Sequence, residues 1–153
     1  MANTYTQLYA QIIFSPQGRY NLITNRIKIP VYKYITGIIK NKNQKLMIIN
    51  GMPDHIHIFL GFLPDIALSD LVRDIKSNTA KYINDQKMVL GKFSWQRGFG
   101  AFTYSKSQVP DVINYIQNQE NHHKRKSFKD EYLEILKKFG IEHRGEYLFE
   151  WYD

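Results

Sequence analysis

Two imidazoles one residue apart, His55-Ile56-His57, are the first pattern in the chain that can do chemistry. In an extended segment residues i and i+2 project to the same side. The pair would therefore offer two neutral ring nitrogens together, a suitable ligand set for a divalent metal. Two polar side chains on a solvated strand face would carry the same pattern. The second pattern is Tyr115, Gln119 and His122, at i, i+4 and i+7 after Pro110, which makes one stripe along a helix. A tyrosine hydroxyl is a nucleophile and a carboxamide oxygen is a hard ligand; ordinary boundary packing is the plain alternative. Free tyrosine has a pKa of about 10, so a tyrosine nucleophile needs a group that takes its proton. His122, one turn beyond Gln119, is the candidate acceptor, with contact to phosphate or solvent as its other reading. The chain has no cysteine, which excludes a thiol nucleophile, cysteine zinc sites and disulfides.

These residues need elements to hold them. Residues 4–14 alternate, with Leu8, Ala10, Ile12 and Phe14 on one side, which predicts a half-buried strand. Residues 29–39 place Val31, Tyr34, Ile35, Ile38 and Ile39 at helical spacing. A short strand is expected over 44–50, then a turn through Gly51-Met52-Pro53-Asp54. The strongest strand, over 55–62, puts His55, His57 and Phe59 on one face and Ile56, Ile58, Leu60 and Phe62 on the other. A helix over 68–90 is indicated by Leu71, Val72, Ile75, Thr79, Tyr82 and Ile83. A fourth strand is expected over 101–106 and a helix from Pro110 to His122. A last helix over 129–139 would turn Leu133, Leu136 and Phe139 inward, with Gly140 at its end. That order predicts an α+β fold: a ferredoxin-like antiparallel sheet with helices on one face and the His pair on the open one. The 153 residues fit a single domain spanning 1–153.

Charge adds a partner class. The formal net charge is +7, and residues 1–53 contain no acidic side chain. That stretch holds seven of the twenty-one basic residues, leaving fourteen basic against fourteen acidic in the rest. A one-sided positive field attracts polyanions, of which a phosphate backbone is the commonest. Lys124, Arg125 and Lys126, just after the Tyr115 helix, are candidates for phosphate contact, as are Arg19, Lys28, Lys42 and Lys45; Phe59 could stack a base. Each has a solvated or packing alternative. No apolar run approaches the roughly 18 residues of a membrane helix, and residues 1–10 lack the pattern of a secretory signal. A cysteine-free chain of this kind fits a cytoplasmic setting.

Taken together, the two patterns resemble the small single-tyrosine transposases of insertion sequences and repetitive extragenic palindromes, within the HUH endonucleases. His55-Ile56-His57, preceded by Pro53-Asp54, is similar to that family's His-hydrophobe-His strand. Tyr115-Ile116-Gln117-Asn118-Gln119, followed by His122-His123, is similar to its helical tyrosine motif. The Ile12-Ile13-Phe14-Ser15 segment, the long helix near Lys76 and the stretch from Trp95 to Ser105 also match in order and spacing.

The resemblance implies cleavage and rejoining of single-stranded DNA at hairpin-containing element ends, in an HUH endonuclease type of fold. Tyr115 would attack the scissile phosphate, giving a 5′-phosphotyrosine and a free 3′-OH. His55, His57 and Gln119 would hold one divalent ion, Mg2+ or Mn2+, the latter more tightly because it tolerates imidazole better. A homodimer is implied, in which the tyrosine helix serves its own site or, as in some members, the partner's. Two other readings remain open on the residues alone. One is a nucleic-acid-binding module without cleavage; the other is a metal-dependent phosphoesterase that uses water.

Overall fold

The near-continuous apolar run after Pro53-Asp54 forms strand β3 (His55–Gly61), inside a four-stranded antiparallel sheet. The computed structural model describes residues 3–18 and 22–152, so Arg19 lies outside the described residues. The other strands are β1 (Tyr9–Phe14), β2 (Lys45–Met52) and β4 (Gly100–Thr103). Their order is β2-β3-β1-β4, all neighbours antiparallel. Helix α1 (Lys28–Asn41) connects β1 to β2 with β3 lying between them, and α2 (Leu68–Asp85) connects β3 to β4 with β1 between. These two interleaved split units are the ferredoxin-like α+β fold that the sequence predicts.

Val31, Tyr32, Ile35 and Ile39 of α1 and Leu71, Val72, Ile75 and Ile83 of α2 join Ile12, Phe14, Ile56, Ile58 and Leu60 in the main core. Tyr34 and Tyr82 meet ring to ring at 4.1 Å between the two helices. Helix α2 stops at Asp85 rather than reaching residue 90, because Lys87 adopts a φ of 50° that no helix continues through.

This is the expected helical cover of one face, but the opposite face is covered too. Helices α3 (Val109–Gln117), α4 (Gln119–His122) and α5 (Phe128–Lys138) complete the chain. Phe59 projects on the His side and is fully buried with Val109, Val112 and Ile116, with Met47 and Ile48 packed around them. An apolar arc on α3 and an apolar patch on β2 and β3 bury one another, the ordinary driving force for docking a helix on a sheet. The His pair therefore does not face solvent, and Phe59 is not available to stack a base. The helix expected over 110–122 is interrupted at Asn118, between α3 and α4.

The last helix starts at Phe128, where the Ser127 side chain accepts from the Asp130 N–H, and its buried residues are Phe128, Glu131, Tyr132, Ile135 and Leu136. Phe139 is instead 38% exposed. Phe149 and Trp151 pack against Phe128 and Tyr132, and Gln96 grips the Glu150 backbone at both its N–H and its carbonyl. The C-terminal aromatics thus dock on the body and brace α5. No helix among the described residues is long and apolar enough to cross a membrane.

Candidate active site

Met52 pairs with His55, so Pro53-Asp54 is a two-residue loop between β2 and β3. At Gly51 a Cβ would lie 2.2 Å from the His55 carbonyl oxygen, so this tight hairpin admits only glycine there. The loop sets Asp54 beside the first histidine. The His55 Nδ1–H donates to Asp54 Oδ1 at 2.7 Å, which directs Nε2 away from the loop. His57 follows on the same face, with Nδ1 2.9 Å from Gln11 Nε2 of β1. Both imidazoles are fully buried.

Helix α3 brings the phenol. Its packed arc, Val109, Val112 and Ile116, seats it on the sheet, and Asn50 of β2 donates to the Ile116 and Gln117 carbonyls at 2.9 and 3.2 Å. These bonds fix the end of α3 where Tyr115 and Gln119 diverge. Gln119 Oε1 lies 2.9 Å from His55 Nε2. The structure thus gathers His55, His57, Tyr115 and Gln119 in one chain.

At their centre is a residue the sequence reading did not identify. Glu131, 2% exposed, enters from α5. Its Oε1 lies 3.3 Å from His55 Nε2, 3.2 Å from His57 Nε2 and 3.1 Å from His123 Nε2. Its Oε2 accepts from Gln119 Nε2 at 2.8 Å and from the Tyr115 hydroxyl. The phenol proton is therefore directed at Glu131 and not at His122. His122 instead lays its ring against the Tyr115 ring, with centroids 4.7 Å apart. The histidine that reaches the cluster is His123, which also meets Gln119 Oε1 at 3.1 Å. Counting i+4 from Gln119 leads to His123, whereas i+7 from Tyr115 leads to His122. No comparable signal marked Glu131, since its helix was oriented by Leu133, Leu136 and Phe139. Phe128, one turn before it, stacks flat on His55 at 4.1 Å.

The electrostatics follow from burying three imidazoles around one carboxylate. Burial opposes a charge on His55, but hydrogen bonds and attraction from Asp54 and Glu131 outweigh it and hold its pKa up at about 9. For His57 burial prevails, with repulsion from His55 and His123 adding to it, and its pKa is lowered despite Glu131. Burial would raise the Glu131 carboxyl, yet the surrounding imidazoles keep it well below the usual carboxylate range. Burial, and then the Glu131 charge, push the Tyr115 phenol far above 10. The cluster thus has an ionised carboxylate, a protonated His55 and a neutral His57.

The donor set suits a divalent cation. His55, His57 and Glu131 each offer a ligand atom, all within 4.8 Å of one another. The Gln119 oxygen and the Glu131 oxygen lie 2.9 and 3.3 Å from His55 Nε2, and Glu131 lies 3.2 Å from His57 Nε2. Adjacent ligands of an octahedral ion with bonds of about 2.1 Å are roughly 3.0 Å apart, so these spacings fit. The set mixes two imidazoles with hard oxygens, which suits Mn2+ at least as well as Mg2+.

A cleft of about 1340 Å³ opens onto this cluster. Tyr115, Glu131 and His123 line it, and Lys124, Arg125 and Lys126 form part of its wall, as does the Lys137-Lys138 pair of α5. Lys126 is ion-paired with Glu134. Of the other predicted DNA-contact residues, Lys42 pairs with Asp74 at 2.9 Å, and neither it nor Lys28 and Lys45 belong to this wall.

The chain is 21% identical over 120 residues to the ISDra2 transposase TnpA of Deinococcus radiodurans, covering 75% of this chain and 86% of that protein. Its fold matches the crystal structure of a Deinococcus radiodurans protein described as a transposase, with TM-score 0.63, 19% identity, and coverage of 78% of this chain and 95% of that one. It also matches a REP-associated tyrosine transposase bound to a REP hairpin, with TM-score 0.62, 14% identity and coverage of 80% and 73%. Residues 4–119 match the family described as IS200-like transposase. That match takes in more than half of the chain, including His55, His57, Tyr115 and Gln119, and it places this protein in the IS200-like transposase family.

Proposed function

We propose that the protein cleaves and rejoins single-stranded DNA at hairpin-containing ends, with Tyr115 as nucleophile and a 5′-phosphotyrosine as intermediate. The observation that carries this reading is the meeting, in one chain, of the Tyr115 hydroxyl with the carboxylate that also faces His55 and His57. His55, His57, Gln119 and Glu131 would hold one Mg2+ or Mn2+ ion. Such an ion, when bound, supplies charge neutralisation on the phosphoryl oxygen and on the departing 3′ oxygen. Tyr115 Oη forms the bond to phosphorus as the phosphorus–O3′ bond breaks. Glu131 Oε2 orients the hydroxyl by accepting its hydrogen bond, the phenol proton is lost to solvent in the cleft as the bond forms, and the 3′ oxygen leaves as a hydroxyl after taking a proton from solvent. His122 braces the Tyr115 ring from the cleft side. The basic wall formed by Lys124, Arg125, Lys126, Lys137 and Lys138 offers a path for the strand's phosphates. A hairpin-bound structural relative supports a hairpin as partner. The homodimer implied by the resemblance would carry this site twice, each assembled in cis.

The test is a covalent adduct. Wild-type protein with a single-stranded hairpin oligonucleotide and Mn2+ is expected to give a denaturant-stable protein–DNA species, absent with Tyr115→Phe. Cleavage without an adduct would mean that water is the nucleophile. Salt-sensitive binding with no cleavage would leave only a binding module.

A further inference from the structure

The two buried imidazoles are held by unlike partners. His55 Nδ1–H donates to a carboxylate, Asp54, so loss of the Nε2 proton leaves a lone pair facing the cluster with no turn of its Nδ1 partner. His57 is arranged the other way. Gln11, 2% exposed on β1, points its amide Nε2 at His57 Nδ1 at 2.9 Å, while its Oε1 accepts from the Tyr104 hydroxyl at 2.7 Å. An amide N–H makes Nδ1 the acceptor, so the neutral ring carries its proton on Nε2. That proton is donated to Glu131 Oε1 at 3.2 Å. In this tautomer His57 cannot give Nε2 to a cation.

We infer that Gln11, backed by Tyr104, is a positioning residue that switches His57 between a metal-free and a ligating tautomer by turning its amide over. With the amide turned, Oε1 accepts from His57 Nδ1–H and frees the Nε2 lone pair. The Gln11 N–H groups then face the Tyr104 oxygen, and a phenol oxygen can accept as well as donate. Both arrangements keep a His57–Gln11 and a Gln11–Tyr104 hydrogen bond, which a carboxylate or an apolar side chain at position 11 could not do, and in the second the Tyr104 O–H turns toward the cleft that it lines. Outer-shell hydrogen bonds of this kind fix the tautomer and ring orientation of a metal-binding histidine. The inference rests on the proposed metal site, because only a cation at His57 Nε2 requires the second tautomer.

The test uses the full chain and Mn2+ alone, with affinity read from the free-ion electron paramagnetic resonance signal. Gln11→Met, similar in volume but unable to bond Nδ1, is expected to weaken Mn2+ binding about 10–100-fold, the usual cost of losing an outer-shell partner. Tyr104→Phe is expected to shift affinity in the same direction by less. Gln11→Glu, which accepts from Nδ1–H as Asp54 does at His55, is expected to stay close to wild type. Nitrogen-15 chemical shifts of metal-free wild type should show His57 protonated on Nε2 and unprotonated on Nδ1. Equal losses in Gln11→Met and Gln11→Glu would reduce Gln11 to a packing role and overturn the inference. A metal-free His57 already protonated on Nδ1 would do the same. Mn2+ binding untouched by Gln11→Met overturns the positioning role alone, whereas wild type that binds no Mn2+ overturns the metal reading beneath it as well.

Discussion

Glu131→Gln probes the centre of the site with almost no change in shape. Each carboxylate oxygen serves a different group of donors: Oε1 faces the His55, His57 and His123 imidazoles, and Oε2 faces the Tyr115 hydroxyl and the Gln119 N–H. A carboxamide keeps one acceptor and turns the other position into a donor. If its oxygen stays toward the imidazoles, its NH2 meets the Gln119 NH2, a mismatch that costs roughly 1–3 kcal/mol in a buried place. The lost charge adds a second term. With a His55 pKa of about 9 in the native state, its bound proton contributes at most about 2 kcal/mol at pH 7.5, and Asp54 retains part of that. A net loss of roughly 2–4 kcal/mol follows, or a fall in Tm of about 5–15 °C for a chain of this size. Affinity for Mn2+ should fall by at least the 10–100-fold seen when only an outer-shell partner is removed. The assay is thermal unfolding in EDTA and in Mn2+. A ligand at about 100 times its Kd raises stability by about 2.7 kcal/mol, so wild type and Tyr115→Phe should both melt higher with Mn2+ while Glu131→Gln barely responds. An undiminished Mn2+ response in Glu131→Gln would refute the claim that this carboxylate is a ligand.

Two further expectations concern pH and the cleft wall. The raised His55 pKa stabilises the metal-free fold fully below about pH 6.5, the unfolded value, and that contribution is lost as pH rises through about 9. In EDTA, the Tm difference between wild type and His55→Asn should therefore shrink between pH 6.5 and 9.5; a constant difference would contradict the charge pairing with Asp54 and Glu131. Replacing both Lys137 and Lys138 by Ala should weaken binding of single-stranded DNA and flatten its salt dependence. For two lost phosphate contacts the logarithmic slope falls by roughly 1.4, with Mn2+ affinity unchanged. An unaltered slope would place the strand elsewhere.

The parts legible in the sequence were those governed by local periodicity. Alternation in β1 and β3, and the helical arcs of α1 and α2, are written over short windows, and their burial follows from the same windows. The interleaved strand order could be anticipated from element order, since few topologies satisfy short right-handed connections. His55, His57, Tyr115 and Gln119 each sit in a short motif. Glu131 does not: it lies in a helix rich in charged residues, and nothing local separates a carboxylate turned inward from its solvated neighbours Asp130 and Glu134. What selects it is tertiary. Phe128 must stack on His55, and Phe149 and Trp151 must brace α5 from behind, before Glu131 can enter the cluster. The same limit explains the open face expected for the His pair. Phe59 looked like a lone aromatic among polar neighbours until α3 supplied its partner surface.

The family match ends at residue 119, and everything that completes the site here lies beyond it. The groups up to Gln119 that face the centre of the cluster are two imidazoles, a phenol and a carboxamide, and the one carboxylate among those residues at the site, Asp54, sits behind His55 on Nδ1. Within the cluster itself those groups would attract a cation only through dipoles. Glu131 adds one full negative charge at a place of low dielectric, where a charge must be neutralised to be tolerated. In the metal-free chain the proton on His55 does this, at the cost of keeping His55 from acting as a ligand. A divalent ion would displace that proton and take over its role, so metal affinity and the Glu131 share of the raised His55 pKa depend on one charge, which α5 holds in place. It follows that they must move together. A substitution that loosens α5, such as Phe128→Leu, should lower the His55 pKa and the Mn2+ affinity in the same protein while Tyr115 and the histidines stay unaltered in sequence. Loss of one without the other would show that the carboxylate reaches the cluster independently of the helix that carries it.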